Sequence, residues 1–369
     1  MRTVAREAGG SVGSLSYRIG DKAALIARLI GKLREDRRQS MELWRPRTAP
    51  LDMAVPEVLA QMITAYLDEA STTWRETALV GCEILLDAST DPVSYPGIGG
   101  LFDDEDDFWR GLLAAGGVKA ADILGCAIAA YCRDEMPFSI AIGANTDYRL
   151  LRAATSRRLA EGFAGHAKGL SRSFEALVAA CGNSAAGTPL PLDLPDGSKK
   201  AELAGYIADI MIEQGLANLS HRLVAARAGI PNSSVAHHFR THDDLLQAGL
   251  GAQILRMRRE LHSGATRHAE GRHGMALIRS THAIALAAAR DPVFRPFALD
   301  MRRRRAENVH ATVSEAIAGA DGLDRAAAQA AVIAIIGSGL AAMARGEADE
   351  RDALGFPHLA QLRKAYSIS

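Results

Sequence analysis

Apolar residues recur at the spacing of an amphipathic helix along most of the chain. The segment Lys199–Gln214 shows the pattern clearly, because Leu203, Ile207 and Met211 fall on one face and Gly215 ends it. Similar patterns predict helices over residues 23–43, 55–70, 77–88, 108–115, 120–131 and 148–167. No stretch alternates with period two between turn signals, so strands are not expected. The fold is therefore predicted to be all-α.

Residues 223–246 predict two short helices joined by a tight turn. The first helix would break at Gly229 and the second would open at Pro231–Asn232. The apolar pair Val235 and Phe239 would then close a small core. Two short helices with a glycine-containing turn are typical of helix-turn-helix DNA binding, in which the second helix enters the major groove.

The same pattern occurs a second time, near the start of the chain. Residues 4–26 align with residues 224–246 without a gap, and the identical pairs include Val4 with Val224, Ala8 with Ala228, Ser14 with Ser234 and Leu25 with Leu245. An Asp-Pro-Val turn also recurs, at residues 91–93 and 291–293. The chain therefore contains an internal repeat that extends beyond the helix-turn-helix motif.

Both copies resemble the DNA-binding domain of TetR-family bacterial transcriptional regulators. The matching positions are Ala8–Gly9, Ser11, Gly13, Leu15, Lys22, Leu25, Ala228–Gly229, His238–Phe239 and Leu245. The family has tyrosine at the positions of Ser16 and Ala236, a His-Phe pair at Arg18–Ile19, and lysine at His242. The resemblance implies a repressor that binds a pseudo-palindromic operator in double-stranded DNA and is released by a small-molecule effector.

Taken with the repeat, the resemblance predicts two TetR-like units in tandem, each with a helix-turn-helix head and a helical effector and dimerisation bundle. Glycine, proline and serine are frequent in residues 182–198, so this segment is predicted to be an extended linker. The predicted domains are a truncated head over residues 1–47, a bundle over 48–181, a second head over 199–246 and a second bundle over 247–369.

The first head is predicted to be truncated because Met1 aligns with His221. The helix that precedes His221 in the second copy therefore has no counterpart in the first. In the resembling family that helix completes the core of the head. Either the natural start lies upstream of Met1, or the first half has lost secure DNA binding. The alternative function is a helical ligand-sensing or protein-interaction module that has lost DNA binding in its first half.

Residues at the start of each predicted recognition helix are candidates for contacts with base edges. They are Asn232, Ser233, Ser234 and His237 in the second copy, and Ser11, Val12, Gly13, Ser14, Ser16 and Tyr17 in the first. The candidates for phosphate contacts near helix N-termini are Arg222, Thr241, His242, Thr3 and Lys22. The alternative for each residue is an ordinary cap or a solvated side chain.

Aromatic residues of the first bundle are candidates for the lining of a ligand cavity, together with a few polar groups. The predicted ligand-binding residues are Tyr66, Trp74, Glu83, Trp109 and Tyr131. The alternative for each aromatic residue is a place in a packed core.

The formal net charge is zero, but charge is segregated along the chain. Basic residues predominate in residues 1–47, as a DNA-facing end requires. Residues 103–107 are acidic, and in the repeat they align with residues 303–307, which begin with three arginines and directly follow Arg302. Because the acidic segment of one half lies opposite the basic segment of the other, the two halves are predicted to pair as an intrachain pseudo-dimer, with a homodimer as the alternative.

Other function classes receive little support. The four cysteines lie in the first half without a CxxC motif, which favours a reduced, cytoplasmic protein. No signal sequence and no run of 18 uncharged apolar residues is evident, so no membrane partner is expected. No metal or other cofactor is expected either, because no cysteine or carboxylate completes a ligand set with the histidines of the second head. No phosphate-binding loop or nucleophile elbow is present, so an enzyme is disfavoured.

Overall fold

The computed structural model describes residues 9, 11–164, 168–185, 193–214, 219–263, 271–307, 309–348 and 357–367. Over these ranges the regular structure consists of α-helices and short 3₁₀ turns, without strands. The prediction of an all-α fold is confirmed.

The helices are numbered here in chain order. Those of the first half are α1 (Val12–Ile19), α2 (Lys22–Thr48), α3 (Pro56–Thr72), α4 (Arg75–Ala88), α5 (Gly99–Ala115), α6 (Ala121–Ile142), α7 (Thr146–Ala160) and α8 (Lys168–Ala185). Those of the second half are α9 (Lys199–Gln214), α10 (His221–Ala228), α11 (Asn232–His238), α12 (His242–Ser263), α13 (Gly271–Arg290), α14 (Arg295–Arg303), α15 (His310–Ala318), α16 (Arg325–Arg345) and α17 (Pro357–Ser367). Both Asp-Pro-Val segments form a 3₁₀ turn.

Polar side chains just before several helices fix where those helices begin. Asp21 accepts a hydrogen bond from the backbone amide of Ala24 (2.9 Å) at the start of α2. Asp324 does the same for α16 through the amide of Ala327 (2.8 Å). Such caps satisfy amide groups that have no partner within the helix, and each contributes about 1 kcal/mol.

The centre of the protein is the contact between α6 of the first half and α16 of the second. Nearly every residue of both helices is buried. The two backbones approach so closely that a Cβ atom at Gly337 would overlap the carbonyl oxygen of Ala130. The two halves of the sequence therefore share one continuous core.

Among the described residues, α16 is the one helix that is long and apolar enough to cross a membrane. Its most apolar 18-residue window is 89% buried inside the protein. Burial of this extent is typical of the core helix of a folded domain.

A group of buried charged side chains lies where the two halves meet. Nε of Arg302 is 2.8 Å from both carboxylate oxygens of Glu135, and both side chains are fully buried. Arg305 donates to Oδ1 of Asp134 (3.0 Å), which is also 3.0 Å from Nε2 of His282. Buried charges are tolerated when they are paired in this way.

The predicted pairing between the acidic run 103–107 and the basic run 302–305 is wrong, because the two runs bind other partners. Asp104 accepts hydrogen bonds from Arg34 and Arg38 of α2. Asp103 accepts one from Arg345 (2.7 Å), which does belong to the second half. Two residues that align in a repeat occupy equivalent places in the two halves. In a two-fold arrangement, equivalent residues contact each other only if they lie near the two-fold axis.

The predicted linker begins later than expected. Helix α8 continues to Ala185, and so includes the first four residues of the segment 182–198. The small residues of this stretch do not stop a helix that is already propagating, because adding one residue costs far less than starting a new helix. Residues 186–192 of the predicted linker lie outside the described residues.

Candidate nucleic-acid interface and ligand cavity

The second head is a closed helix-turn-helix. Helices α10 and α11 are joined at Gly229, whose φ of 66° is a left-handed conformation that glycine adopts without strain. Val224, Val235, Phe239 and Leu245 are fully buried between these helices and their neighbours. Helix α9 packs against α10 and α12 and buries its predicted apolar face in the same core.

Polar contacts hold the segment that directly follows the recognition helix α11. Nε2 of His221 donates a hydrogen bond to the backbone carbonyl of Phe239 (2.7 Å), which ties the start of α10 to the end of α11. Asp244 then accepts hydrogen bonds from the backbone amides of Arg240 and Thr241 (2.8 and 2.9 Å). Hydrogen bonding by the amide of Thr241 lowers the pKa of Asp244. Sequence reasoning did not assign a role to His221 or Asp244.

The predicted base-contacting residues of the second head lie together on the outer face of α11. Asn232, Ser233 and His237 are exposed, and Ser234 is half-buried. Because Val235 and Phe239 of the same segment point into the core, the polar residues between them face outward. The outer face of α11 is therefore free to enter a groove.

The predicted phosphate-contacting residues Arg222, Thr241 and His242 are exposed on the same head. The hydroxyl of Thr241 also accepts a hydrogen bond from the amide of Asp244 (3.0 Å), so this residue caps α12. Arg227, also on α10, has a carboxylate partner, because it makes two hydrogen bonds to Glu213 (2.7 and 2.8 Å). Among the described residues, no three metal-ligating side chains come together.

The first head is less closed within the part of the chain that the structure describes. Ile19 and Leu25 are only half-buried, whereas Phe239 and Leu245 at the equivalent positions are fully buried. Tyr17 is 93% exposed. The predicted DNA-contacting residues Ser11, Gly13, Ser14, Ser16 and Lys22 are also exposed, and the backbone of Val12 begins α1, while Thr3 lies outside the described residues.

A separate cavity lies inside the first bundle, between α2, α3, α4, α5 and α6. The predicted residues Tyr66, Trp74 and Trp109 line it. The rings of Tyr66 and Trp109 meet edge to face, with centroids 5.3 Å apart. The space available to the centres of water molecules is about 40 Å³, which corresponds to roughly three waters.

The cavity also contains charged groups that sequence reasoning missed. Glu105 lies between two guanidinium groups, because one carboxylate oxygen pairs with Arg37 and the other accepts from Nε of Arg133 (2.7 Å). Arg133 also donates to Asp106 (2.5 Å). Burial lowers the pKa of Arg37, because an apolar environment disfavours its charged form. The only sequence signal for this group was a set of charges inside otherwise apolar helices.

The other two predicted ligand-binding residues lie elsewhere. Glu83 is on α4 but turns away from the cavity and pairs with Arg290 of the second half. The hydroxyl of Tyr131 is 2.7 Å from the hydroxyl of Thr155, in the buried layer between α6 and α7. Burial is the main reason that the pKa of Tyr131 is raised. The direction in which each side chain points depends on its position around the helix, and composition alone does not give that position.

The geometry of residues 199–246 is that of a helix-turn-helix head of a DNA-binding protein. Comparison with protein families gives the more specific result, since residues 207–248 match the sequence model described as "Bacterial regulatory proteins, tetR family". The match supports TetR-family membership and indicates a DNA-binding transcriptional regulator. The match begins inside α9 and ends in the first turns of α12, so it covers most of the second head. Comparisons with curated proteins and with solved structures found no match.

Proposed function

We propose that the protein is a sequence-specific, cytoplasmic transcriptional repressor, without enzymatic activity, that binds operator DNA through its second head. The observation that carries this proposal is the outer face of α11, where Asn232, Ser233 and His237 are exposed above a fully closed core. A rigid helix with exposed polar side chains is what direct readout of the major groove requires. Arg222 and His242 would contact the phosphates on either side.

The two halves would form the tandem of TetR-like units as an intrachain pseudo-dimer. The central packing of α6 against α16, which follow the two 3₁₀ turns at comparable distances, supports this arrangement. The buried pair Arg302–Glu135 also joins the halves. The first head would read a second half-site with different residues, so the operator would be only partly palindromic.

The second candidate function is a ligand-sensing or interaction module whose first half no longer binds DNA. The partial exposure of Ile19 and Leu25 favours it, because a head without a closed core cannot hold its recognition helix rigidly. In this case one chain would contact one half-site only, and a homodimer would be needed for a palindromic operator.

Selection of bound sequences from random DNA, followed by a salt titration, tests these alternatives. The repressor proposal predicts an enriched site and an affinity that falls steeply with salt. His237→Ala should relax base preference within one half-site, whereas Arg222→Ala should weaken all sequences alike and reduce the salt slope by about one unit. Arg227→Ala is the matched control, because Arg227 is exposed on the same helix but already bound to Glu213. No enrichment, or equal losses for all three variants, would exclude DNA reading by this head.

Light scattering at several concentrations then separates the pseudo-dimer from the homodimer. A mass of one chain bound to a two-half-site operator supports the pseudo-dimer, and a mass of two chains supports the homodimer.

A further inference from the structure

Two guanidinium groups meet at one carboxylate in the cavity of the first bundle. Arg37 and Arg133 share one carboxylate, Glu105, both of whose oxygens are already used. Arg133 has additional acceptors of its own in Asp106 and the carbonyl of Phe102 (2.9 Å). Within the described residues, Arg37 has no carboxylate that it does not share.

A donor on the cavity wall, the indole of Trp74, has no acceptor among the described residues. The indole Nε1 of Trp74 is buried and has no hydrogen-bond partner in the part of the chain that the structure describes. A buried polar group without a partner is destabilising, so the wall is complementary to an acceptor that enters from outside.

Two other acidic groups on the cavity wall carry no negative charge that could pair with Arg37. Burial raises the pKa of the Tyr66 phenol and of the Cys82 thiol to about 12, so both remain neutral at physiological pH. Asp36 also lines the cavity, but its carboxylate accepts from Nζ of Lys32 (2.5 Å) on the outer side of α2.

The remaining wall is apolar and aromatic, and the free space is small. Tyr66 and Trp109 present ring faces and edges, with Leu85 and Met136 beside them. Such a wall favours one flat ring. A ring needs more room than the roughly three waters that the space can hold, so its entry would require side chains of the wall to move apart.

We propose that this cavity binds a compact aromatic carboxylate, whose carboxylate group pairs with Arg37 and accepts from Nε1 of Trp74 while its ring packs on Tyr66 and Trp109. The inference rests on the proposed function, because it specifies the chemical class of the small-molecule effector. The negative charge is the essential feature, and a neutral ring of the same shape binds more weakly.

The test compares benzoate, phenylacetate and salicylate with their primary amides, using calorimetry and tryptophan fluorescence on the full chain. At least one carboxylate is expected to bind about tenfold or more tightly than its own amide, because a charge-assisted hydrogen bond to a guanidinium is lost in the amide. If no carboxylate of the three is preferred over its amide, the proposal is wrong.

Variants of the cavity test which guanidinium group binds the carboxylate. Arg37→Met should remove the preference for the carboxylate, and Arg37→Lys should retain part of it. Arg38→Met is the matched control, because Arg38 is the next residue of α2 but pairs with Asp104 outside the cavity. Glu105→Gln, which frees the second guanidinium charge, should increase carboxylate affinity. Unchanged preference in Arg37→Met, with folding verified by circular dichroism, overturns the assignment of the site.

Failure of the ligand class and failure of the regulator proposal give different results. If the protein shows no preference for carboxylates but still binds its operator, only the proposed ligand class is wrong. A carboxylate that binds in the cavity without changing the affinity for the selected operator supports the ligand class and removes its role as effector.

Discussion

Replacement of Gly337 by alanine tests whether the close crossing of α6 and α16 holds the two halves together. The added Cβ would overlap the carbonyl oxygen of Ala130, which belongs to backbone and cannot rotate away. The helices must then separate, and overpacking of this kind costs about 1–3 kcal/mol, with a backbone neighbour placing it near the upper end. Alanine also favours the helical backbone by about 1 kcal/mol relative to glycine, which offsets part of this cost. The expected net loss in the free energy of unfolding is therefore about 2 kcal/mol.

Gly111→Ala provides the matched control. Gly111 is also inside a helix, but it is exposed, and a Cβ there would have no atom within 4 Å. This variant should be more stable than the natural protein by up to about 1 kcal/mol. Urea unfolding, followed by circular dichroism, gives both values if the slope with denaturant stays constant. A Gly337→Ala protein as stable as the Gly111→Ala protein would refute the close crossing.

Three further predictions concern buried groups. Arg302→Met should cost about 3–5 kcal/mol because it leaves Glu135 charged and unpaired, and the double variant Arg302→Met with Glu135→Leu should recover much of that loss in urea unfolding. Burial raises the pKa of Asp134, but the nearby Arg305, His282 and Arg302 together lower it by more, so the folded protein has the lower pKa. The ionised Asp134 should therefore stabilise the fold above about pH 4, and this stabilisation should disappear as the pH falls further. Asp134→Asn should unfold with a flatter pH dependence in this range, and an unchanged profile would contradict the ion pair. Iodoacetamide at pH 8 should modify the exposed Cys126 well before Cys82, whose pKa burial raises to about 12, and mass spectrometry of peptides would show the reverse order if this packing were wrong.

Local sequence signals predicted the second head in detail. Helix α9 has the predicted bounds, α10 ends before Gly229, and α11 opens at Asn232. These boundaries depend on short-range chemistry, namely apolar spacing, a glycine with positive φ and a proline before the helix. Because each signal acts within a few residues, the sequence alone is sufficient to locate them.

The centre of the protein depends on contacts between distant residues and was only partly predictable. Helix α6 was expected over residues 120–131, but it continues through Pro137 to Ile142. The charged residues Arg133, Asp134 and Glu135 look like the end of an apolar helix when read along the chain. They are buried because partners from α5, α13 and α14 surround them, and no local pattern identifies those partners.

The asymmetry between the halves determines which element can connect the cavity with the more closed head. The cavity lies in the first half, whereas the head with the fully buried core lies in the second. Helix α4 lies beside both regions, because Ala78 and Cys82 are on the cavity wall, while Leu86 borders a small gap whose other side is formed by Met211 of α9. Arg75, next to Trp74, also donates to the carbonyl oxygen of Ala289 at the end of α13 (2.7 Å).

An α-helix of this length moves as a rigid rod of roughly 20 Å, since its backbone is fully hydrogen-bonded and its side chains are packed. A ligand that shifts the cavity end of α4 would therefore press on α13, which in turn packs against α9. Because α9 packs directly on α10 and α12, such a shift changes the position of the recognition helix without unfolding the head. A ligand can act through this route only by the difference between its affinities for the two positions of α4.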